Sequence, residues 1–473
     1  MDLDRFFSPR AIVVVGANET PYGGSFFLRN LKDAGYEGGV YPVNPRLAGK
    51  TLVGWRVYGS LDDVPGEVDL AIVAVPARAT PTVAAELAKR GVPFVHVFSS
   101  GFSEAGRADL EEDLRRATVD NGARLVGPNC LGGYNPRART AFSTGLSTVS
   151  GDVGVVSQSG GLAVRLALNG PSRGFHFSKI ASVGNQADLD LLDFLAYFGE
   201  DHETRIVAAY VENVKRDGDK LVPLLKAITT RKPVVIWKAG FSEGGKQAVA
   251  SHTGGLAGDL RLWRAMARQT GAILVEGFQS LVETIQALKY LPLPETRGVA
   301  VLTAGGGMSV ELTDACERNG LAVPRVSEEG QEALGEFVPD VNTNLKNPLD
   351  LGAAGLDPTT QARAIRVLAS EPAISSFVVV KDPERFGQHA RSFGVPDYED
   401  RLVEEVAAAK PPDKPVVFCN VLLTETEQAL VARARFEAKL LRRGIVSIDD
   451  ADAAARCLRR LWEYGRYLSS TRA

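Results

Sequence analysis

The sequence predicts an α/β protein built on doubly wound parallel sheets. Short, β-branched-rich apolar runs recur along the chain, helix-like amphipathic stretches separate them, and small, glycine-rich turns follow them. The runs are Ala11 to Val15, Leu70 to Val75, Phe94 to Phe98, Val153 to Val156, Ile206 to Val211, Val234 to Trp237, Val299 to Leu302, Phe377 to Val380 and Val416 to Cys419. Each has strand length. A continuous apolar run fits a strand covered on both faces, as in a parallel sheet. Stretches such as Thr80 to Lys89 and Arg107 to Thr118 supply the intervening helices.

Two composition breaks divide the 473 residues. Residues 133–152 are polar and turn-rich, which fits a linker or an excursion between domains. Residues 291–298 hold two prolines and a glycine. Domains are therefore expected over 1–140, 150–290 and 297–473. The last two read as a diverged repeat. GVVSQSGGLAV near the start of one answers AVLTAGGGMSV in the other, and Lys232-Pro233-Val234-Val235 answers Lys414-Pro415-Val416-Val417 in the same order. A duplicated flavodoxin-like unit explains the pattern.

The formal net charge of −3 counts against a nucleic-acid coat or a polybasic membrane surface. Cys130, Cys316, Cys419 and Cys457 lie far apart with no CxxC pair. Neither a zinc site nor a disulfide framework is suggested, and no metal ligands are expected. The N-terminus lacks the basic start and long apolar stretch of a signal peptide. No run reaches membrane-spanning length. A soluble, cytoplasmic protein is expected, with no nucleic-acid or membrane partner.

The chemistry-bearing segments lie at the ends of the strand-like runs, where ligands bind in open α/β sheets. The first run closes at Gly16, and a loop through Asn18, Pro21, Gly23 and Gly24 enters a helix. Glycines let backbone approach a phosphate, and a helix start offers free N–H groups. The alternative is an ordinary βα turn. GxGxxG is absent, which disfavours a nicotinamide cofactor. Asn44-Pro45-Arg46 ends the next strand-like segment, and Pro45 holds Asn44 extended. Val75-Pro76, Ser99-Ser100 and Gly127-Pro128-Asn129-Cys130 are further small, polar strand ends.

Ser157-Gln158-Ser159-Gly160-Gly161 joins a strand to a helix. It reads as an anion cradle, as an N-cap, or as both. The loop Ser251-His252-Thr253-Gly254-Gly255-Leu256-Ala257-Gly258 holds one of only five histidines, with almost no bulk around it. Such an imidazole is open to a phosphoryl donor and nucleophilic near neutral pH, and the glycines and the helix start behind it suit the phosphoryl charge. A bland surface-loop histidine is the other reading. A nucleophilic imidazole needs an acceptor on its second nitrogen, and Glu212, at a strand end, is the candidate. The remaining charges are expected on solvated faces.

GPNCLG (127–132), SQSGG (157–161), SVGNQAD (182–188) and SHTGGLAG (251–258) together resemble the NDP-forming acyl-CoA synthetases, relatives of succinyl-CoA synthetase. In particular they resemble the α subunit of two-subunit ADP-forming acetyl-CoA synthetases, over essentially the whole chain. The resemblance implies a Rossmann-like CoA-binding domain followed by two flavodoxin-like domains. It implies that His252 is a phosphohistidine with Glu212 as its orienting carboxylate. Coenzyme A would be held by Gly16, Asn18, Pro21, Asn44, Pro45 and Arg46, with Val75, Pro76, Ser99 and Asn129 lining the same pocket. Ser157, Gln158, Ser159, Gly160, Gly161, Gly254 and Gly255 would hold the phosphoryl or acyl group. The helix start at Ala304 to Met308 would also face the histidine loop.

The implied reaction converts acyl-CoA, ADP and phosphate to a short-chain acid, ATP and CoA, through acyl phosphate and a phosphorylated His252. Residues 297–473 leave no room for an ATP-grasp module. ADP or ATP with Mg²⁺ is therefore expected on a separate ATP-grasp β subunit, in a heterotetramer. Two rivals are a non-catalytic CoA-binding or CoA-sensing protein, and a nicotinamide-dependent oxidoreductase. The lack of GxGxxG, and of an acidic residue where Asn44 stands, counts against the second.

Overall fold

The computed structural model describes residues 3–215, 218–240, 242, 244–245, 259–421 and 423–472. The chain divides into two compact units, Met1–Val282 and Glu283–Ala473.

The first unit contains two sheets. β1 (Ala11–Val15) pairs in parallel with β2 (Gly39–Val43). A short antiparallel ribbon follows, β3 (Thr51–Leu52) with β4 (Trp55–Arg56). β5 (Leu70–Val73), β6 (Phe94–Val97) and β7 (Arg124–Val126) then build outward from the other side of β1, giving the order β2-β1-β5-β6-β7. All four pairings are parallel. The order reverses between β1 and β5, which opens a crevice at the carboxyl ends of those strands.

The second sheet contains β8 (Gly132–Tyr134), β9 (Val153–Ser157), β10 (Phe177–Ser182), β11 (Ile206–Val211), β12 (Val234–Lys238) and β13 (Ile273–Val275). Its order is β13-β12-β11-β9-β10-β8, with β8 antiparallel. The segment expected as a linker thus begins at the edge of the second sheet. Composition hid this because a three-residue strand with two glycines has no apolar run.

The two sheets share one core. Phe6 and Phe7, on a four-residue helix (Asp4–Phe7), pack edge-on against Phe194, and Phe7 also packs against Tyr197 and Phe198. Phe6 reaches back to Phe94 on β6. Burying one such ring stabilises the fold by about 1.5–3 kcal/mol. Phe7→Ala would remove contacts to both layers at a cost of about 3–5 kcal/mol.

The second unit has one parallel sheet, β14 (Val299–Thr303), β15 (Leu349–Asp350), β16 (Ser376–Lys381), β17 (Val416–Asn420) and β18 (Val446–Ile448). Its order β15-β14-β16-β17-β18 repeats β10-β9-β11-β12-β13 of the second sheet. The two Lys-Pro-Val-Val segments take the same place in this repeat. Lys232 Nζ donates to Phe198 O and Asp201 O at 2.9 and 2.7 Å, at the end of helix Leu191–Glu200. Lys414 Nζ donates to Ala369 O and Glu371 O at 2.8 and 3.4 Å, at the end of helix Pro358–Ala369. An ammonium suits the exposed carbonyls and negative dipole end of a helix.

Not every remaining charge is solvated. Lys238 is 1% exposed and Lys381 is 3% exposed. Both close central strands, where the sheet and its helices cover the lysine stem, and no sequence periodicity marks that position.

Candidate functional site

The loop after β1 is shaped by close approach. Gly16 has φ +93°, and a Cβ there would lie 2.4 Å from Ala74 O. Gly24 lets helix Gly24–Ala34 start against the same loop, since its Cβ would lie 2.6 Å from Ala17 N. Asn18 Oδ1 accepts from Thr20 N and Oγ1 at 3.0 and 2.7 Å, which folds the exposed stretch containing Pro21.

Asn44 links this loop to the next strand end. Its Nδ2 donates to Ala17 O at 2.6 Å, and its Oδ1 accepts from Arg46 N at 2.9 Å. Pro45 starts a 3₁₀ turn that leaves Arg46 exposed. Ser99 Oγ donates to Val75 O, and Asn129 N donates to Ser99 O at 3.0 Å. Val75 is half-buried and Pro76 exposed. The carboxyl ends of β1, β2, β5, β6 and β7 therefore bring together Gly16, Asn44, Val75, Ser99 and Asn129.

Two motifs far apart in sequence join here by backbone. Asn185 N donates to Pro128 O, Ala187 N to Gly127 O and Leu189 N to Leu125 O, at 2.9, 2.9 and 3.1 Å. Asp188 accepts from Arg124 and from Leu125 N. Asn185 is 2% exposed. Its Oδ1 accepts from Asn129 Nδ2 at 3.3 Å, while its Nδ2 donates to Glu104 and Glu111. Lys215 Nζ meets Glu111 at 3.3 Å. His96, 2% exposed, supports the turn from below through a 3.0 Å contact with Cys130 O, and burial pulls it down to about 4, so it is a neutral prop.

A cavity of about 260 Å³ opens beside this joint. Phe98, Asn129 and Leu131 line one side, Gln158, Ser159, Gly160 and Gly161 another, and Gly184 and Asn185 complete it. Ser159 caps helix Gly160–Ser172, its side chain accepting from Leu162 N at 3.4 Å, while Ser157 Oγ donates to Ser159 O at 2.7 Å. The serines thus act as a cap, and the glycine N–H groups beside the cavity suit an anion.

Gln158 connects the cavity wall to Glu212. Its Oε1 accepts from Asn213 N at 3.0 Å and from Glu212 N, and its Nε2 donates to Asn213 O at 2.7 Å. Glu212 is 4% exposed. Lys238 Nζ donates to Glu212 O at 2.9 Å. Burial lowers Lys238 to about 8, against the opposing pull of the Glu212 charge. His252, Gly254 and Gly255 lie outside the described residues. Sequence reasoning did not single out Phe98, Leu131, Asn185 or Lys238; the SVGNQAD motif contained Asn185, but nothing in it marked that side chain. Among the described residues, no cluster of three or more His, Cys, Asp or Glu side chains could hold a metal ion.

Family models match most of the chain. Residues 10–136 match a CoA binding domain, 150–288 a succinyl-CoA ligase like flavodoxin domain, and 299–441 a ligase-CoA domain. The chain is 34% identical over 420 residues to subunit alpha of acetate–CoA ligase [ADP-forming] II of Pyrococcus furiosus, covering 86% of this chain and 88% of that one. It is 35% identical over 386 residues to subunit alpha of acetate–CoA ligase [ADP-forming] I of the same organism, covering 80% and 83%. A solved structure of the Ca. Korarchaeum cryptofilum dinucleotide forming acetyl-coenzyme A synthetase 1, in complex with phosphate and ADP, superposes with a TM-score of 0.84 at 30% identity. It covers 100% of this chain and 99% of that one. With its strand-end loops, its joined motifs and these relatives, the chain belongs to the NDP-forming acyl-CoA synthetase family, alongside the α subunits of ADP-forming acetate–CoA ligases.

Proposed function

We propose that this chain is the CoA- and acyl-handling α component of an ADP-forming acid–CoA ligase. The observation that carries the reading is the joint between GPNCLG and SVGNQAD, which places SQSGG against the same cavity at converging strand ends. One cavity then serves as the meeting point of a thioester, a phosphate and a nucleophile, as acyl transfer needs.

In this reading Gly16, Asn18, Pro21, Asn44, Pro45, Arg46, Val75, Pro76, Ser99 and Asn129 hold CoA. Phosphate oxygen attacks the thioester carbonyl, the C–S bond breaks, and acyl phosphate and CoA form. The N–H groups of Gly160 and Gly161 meet the phosphoryl charge. His252 then takes the phosphoryl group and releases the carboxylate, with Glu212 holding the second ring nitrogen. ADP with Mg²⁺ accepts the group on a separate ATP-grasp β subunit, which fits the α-subunit names of relatives matched over most of their length. Three domains over 1–140, 150–290 and 297–473, a cytoplasmic location, a short-chain acid and a heterotetramer complete the proposal.

The test is direct. Purified chain incubated with acyl phosphate, or with a β partner and Mg-ATP, gains an acid-labile, base-stable phosphate. His252→Asn loses the label and keeps CoA binding. A label that survives His252→Asn sinks the assignment. CoA binding with no label under any condition favours the non-catalytic CoA-sensing reading.

A further inference from the structure

The second unit carries a polar cluster that none of the chemistry above uses. Asn420 closes β17, is 1% exposed, and both amide atoms of its side chain lack a partner among the described residues. His389 is 2% exposed, and both ring nitrogens are likewise unpaired. Gln361, 3% exposed, donates through Nε2 to Gly355 O and leaves Oε1 unpaired. Buried polar groups are nearly always satisfied, so three in one region call for an explanation.

Lys381 stands among them. Its Nζ donates to Gly355 O at 3.1 Å, a carbonyl already bonded to Gln361. Among the described residues, no carboxylate pairs with it. Asp382 and Asp357 act on it only through space. Asp382 pairs with Arg385 at 3.4 Å, and Asp357 caps a helix at Thr360. Burial lowers Lys381 to about 8, which leaves it charged at neutral pH.

The register brings the donors together. Lys381 and Asn420 are partners on adjacent parallel strands, about 4.8 Å apart, and alternate with Val379 and Phe418 on one sheet face. The His389 ring lies 5.4 Å from that of Tyr398, whose hydroxyl donates to Leu356 O, one residue beyond the Gly355 carbonyl that Lys381 meets; burial lowers His389, and the charges of Asp382, Lys381 and Arg385 reach it. The internal repeat sharpens the point. Aligning the two Lys-Pro-Val-Val segments makes Val211 the counterpart of Lys381, and Lys238 that of Asn420. Gln158, which links the strand ends in the first copy, corresponds to Ala304 in the second. In the first copy the strand-end ammonium, Lys238, lies beside the Glu212 carboxylate and donates to Glu212 O, whereas in the second Lys381 has no paired carboxylate among the described residues and stands beside an idle carboxamide. Water can serve the amide but cannot neutralise the ammonium.

We propose that the second unit binds a small oxyanion, a carboxylate or inorganic phosphate, between Lys381 Nζ and the Asn420 carboxamide, with a His389 ring N–H as a further donor. The site uses residues to which the ligase reading gives no part.

The full chain with ¹⁵N-labelled histidine, in anion-poor buffer, is titrated with inorganic phosphate in one arm and sodium acetate in another, with sodium chloride as the ionic control. His389→Gln identifies the His389 signals. The expected result is a saturable His389 shift with phosphate or acetate and none with chloride, and the tighter arm names the source. Lys381→Met, an apolar side chain of similar reach that a buried site tolerates, weakens the response at least tenfold. Asn420→Asp gives Lys381 an internal counter-charge, so it abolishes the response and raises the Tm in anion-poor buffer. No saturable His389 shift with either anion, a shift equal to that in chloride, or an unchanged response in Lys381→Met overturns the proposal. So does Asn420→Asp with the response retained.

Discussion

Arg124 and Asp188, 64 residues apart, form a two-pronged ion pair, Nε to Oδ2 at 2.7 Å and Nη2 to Oδ1 at 3.0 Å. Asp188 is 9% exposed at its side chain and also accepts from Leu125 N at 3.0 Å. Paired, partly desolvated geometry of this kind is stronger than a surface pair. Asp188→Ala is expected to lower stability by about 2 kcal/mol and to weaken CoA binding, because it loosens the joint beside the cavity. Urea unfolding and CoA titration of the same preparation check it; a destabilised variant with unaltered CoA affinity separates the joint from the pocket.

Gly16→Ala tests the close approach. The added methyl meets Ala74 O, and φ +93° is unfavourable for any L side chain. A stability loss of about 1–3 kcal/mol is expected, with CoA affinity reduced at least tenfold in a calorimetric titration. Gly161→Ala is the control: nothing lies within 4 Å of its Cβ, so the fold should be unaffected.

Asn185→Asp should give a pH-dependent defect. Burial pushes Glu104 up, but N–H groups from Gly101, Asn185 and Phe102 bring it below the usual carboxylate range. A depressed folded value stabilises above the unfolded value, and that contribution fades as pH falls through the folded one. Asp at 185 replaces an amide donor by a third carboxylate beside Glu104 and Glu111, which raises the folded value of Glu104. The variant is expected to be weakest at neutral pH and to approach wild type near about pH 4. Tm measured across that range decides it; a defect that is constant with pH refutes the charge argument.

Lys232→Met and Lys414→Met probe the repeat. Each removes an ammonium from two carbonyls at a helix end, with an expected loss of about 1–2 kcal/mol. Hydrogen exchange should localise the first loss to helix Leu191–Glu200 and the second to helix Pro358–Ala369. Protection lost elsewhere would show that the lysines do not play matched roles.

Much of this architecture was legible because it rests on local patterns. Ala11 to Val15 and Ile206 to Val211 are buried runs that can only be central strands, and the two Lys-Pro-Val-Val segments mark the same strand of a duplicated sheet. The loops at Gly16, Asn44 and Ser157 to Gly161 were legible because their turn residues are unusual. What escaped depends on distant partners. Gly132–Tyr134 becomes a strand only through Ile180 to Ser182. Asn185 matters because a strap brings it to Asn129. Lys381 reads as one more surface charge until the cover over its strand end is seen.

The three backbone bonds from the 185–189 strap to Leu125, Gly127 and Pro128 also have a bearing on solubility. β7 is the outermost strand of the first sheet, and an open edge is a template for another chain. Here a segment of the same molecule closes that edge, and it does so with main-chain N–H groups that only a proline substitution removes. Cutting the first 140 residues free would uncover the edge, so that fragment should pair with its own copies rather than remain monomeric.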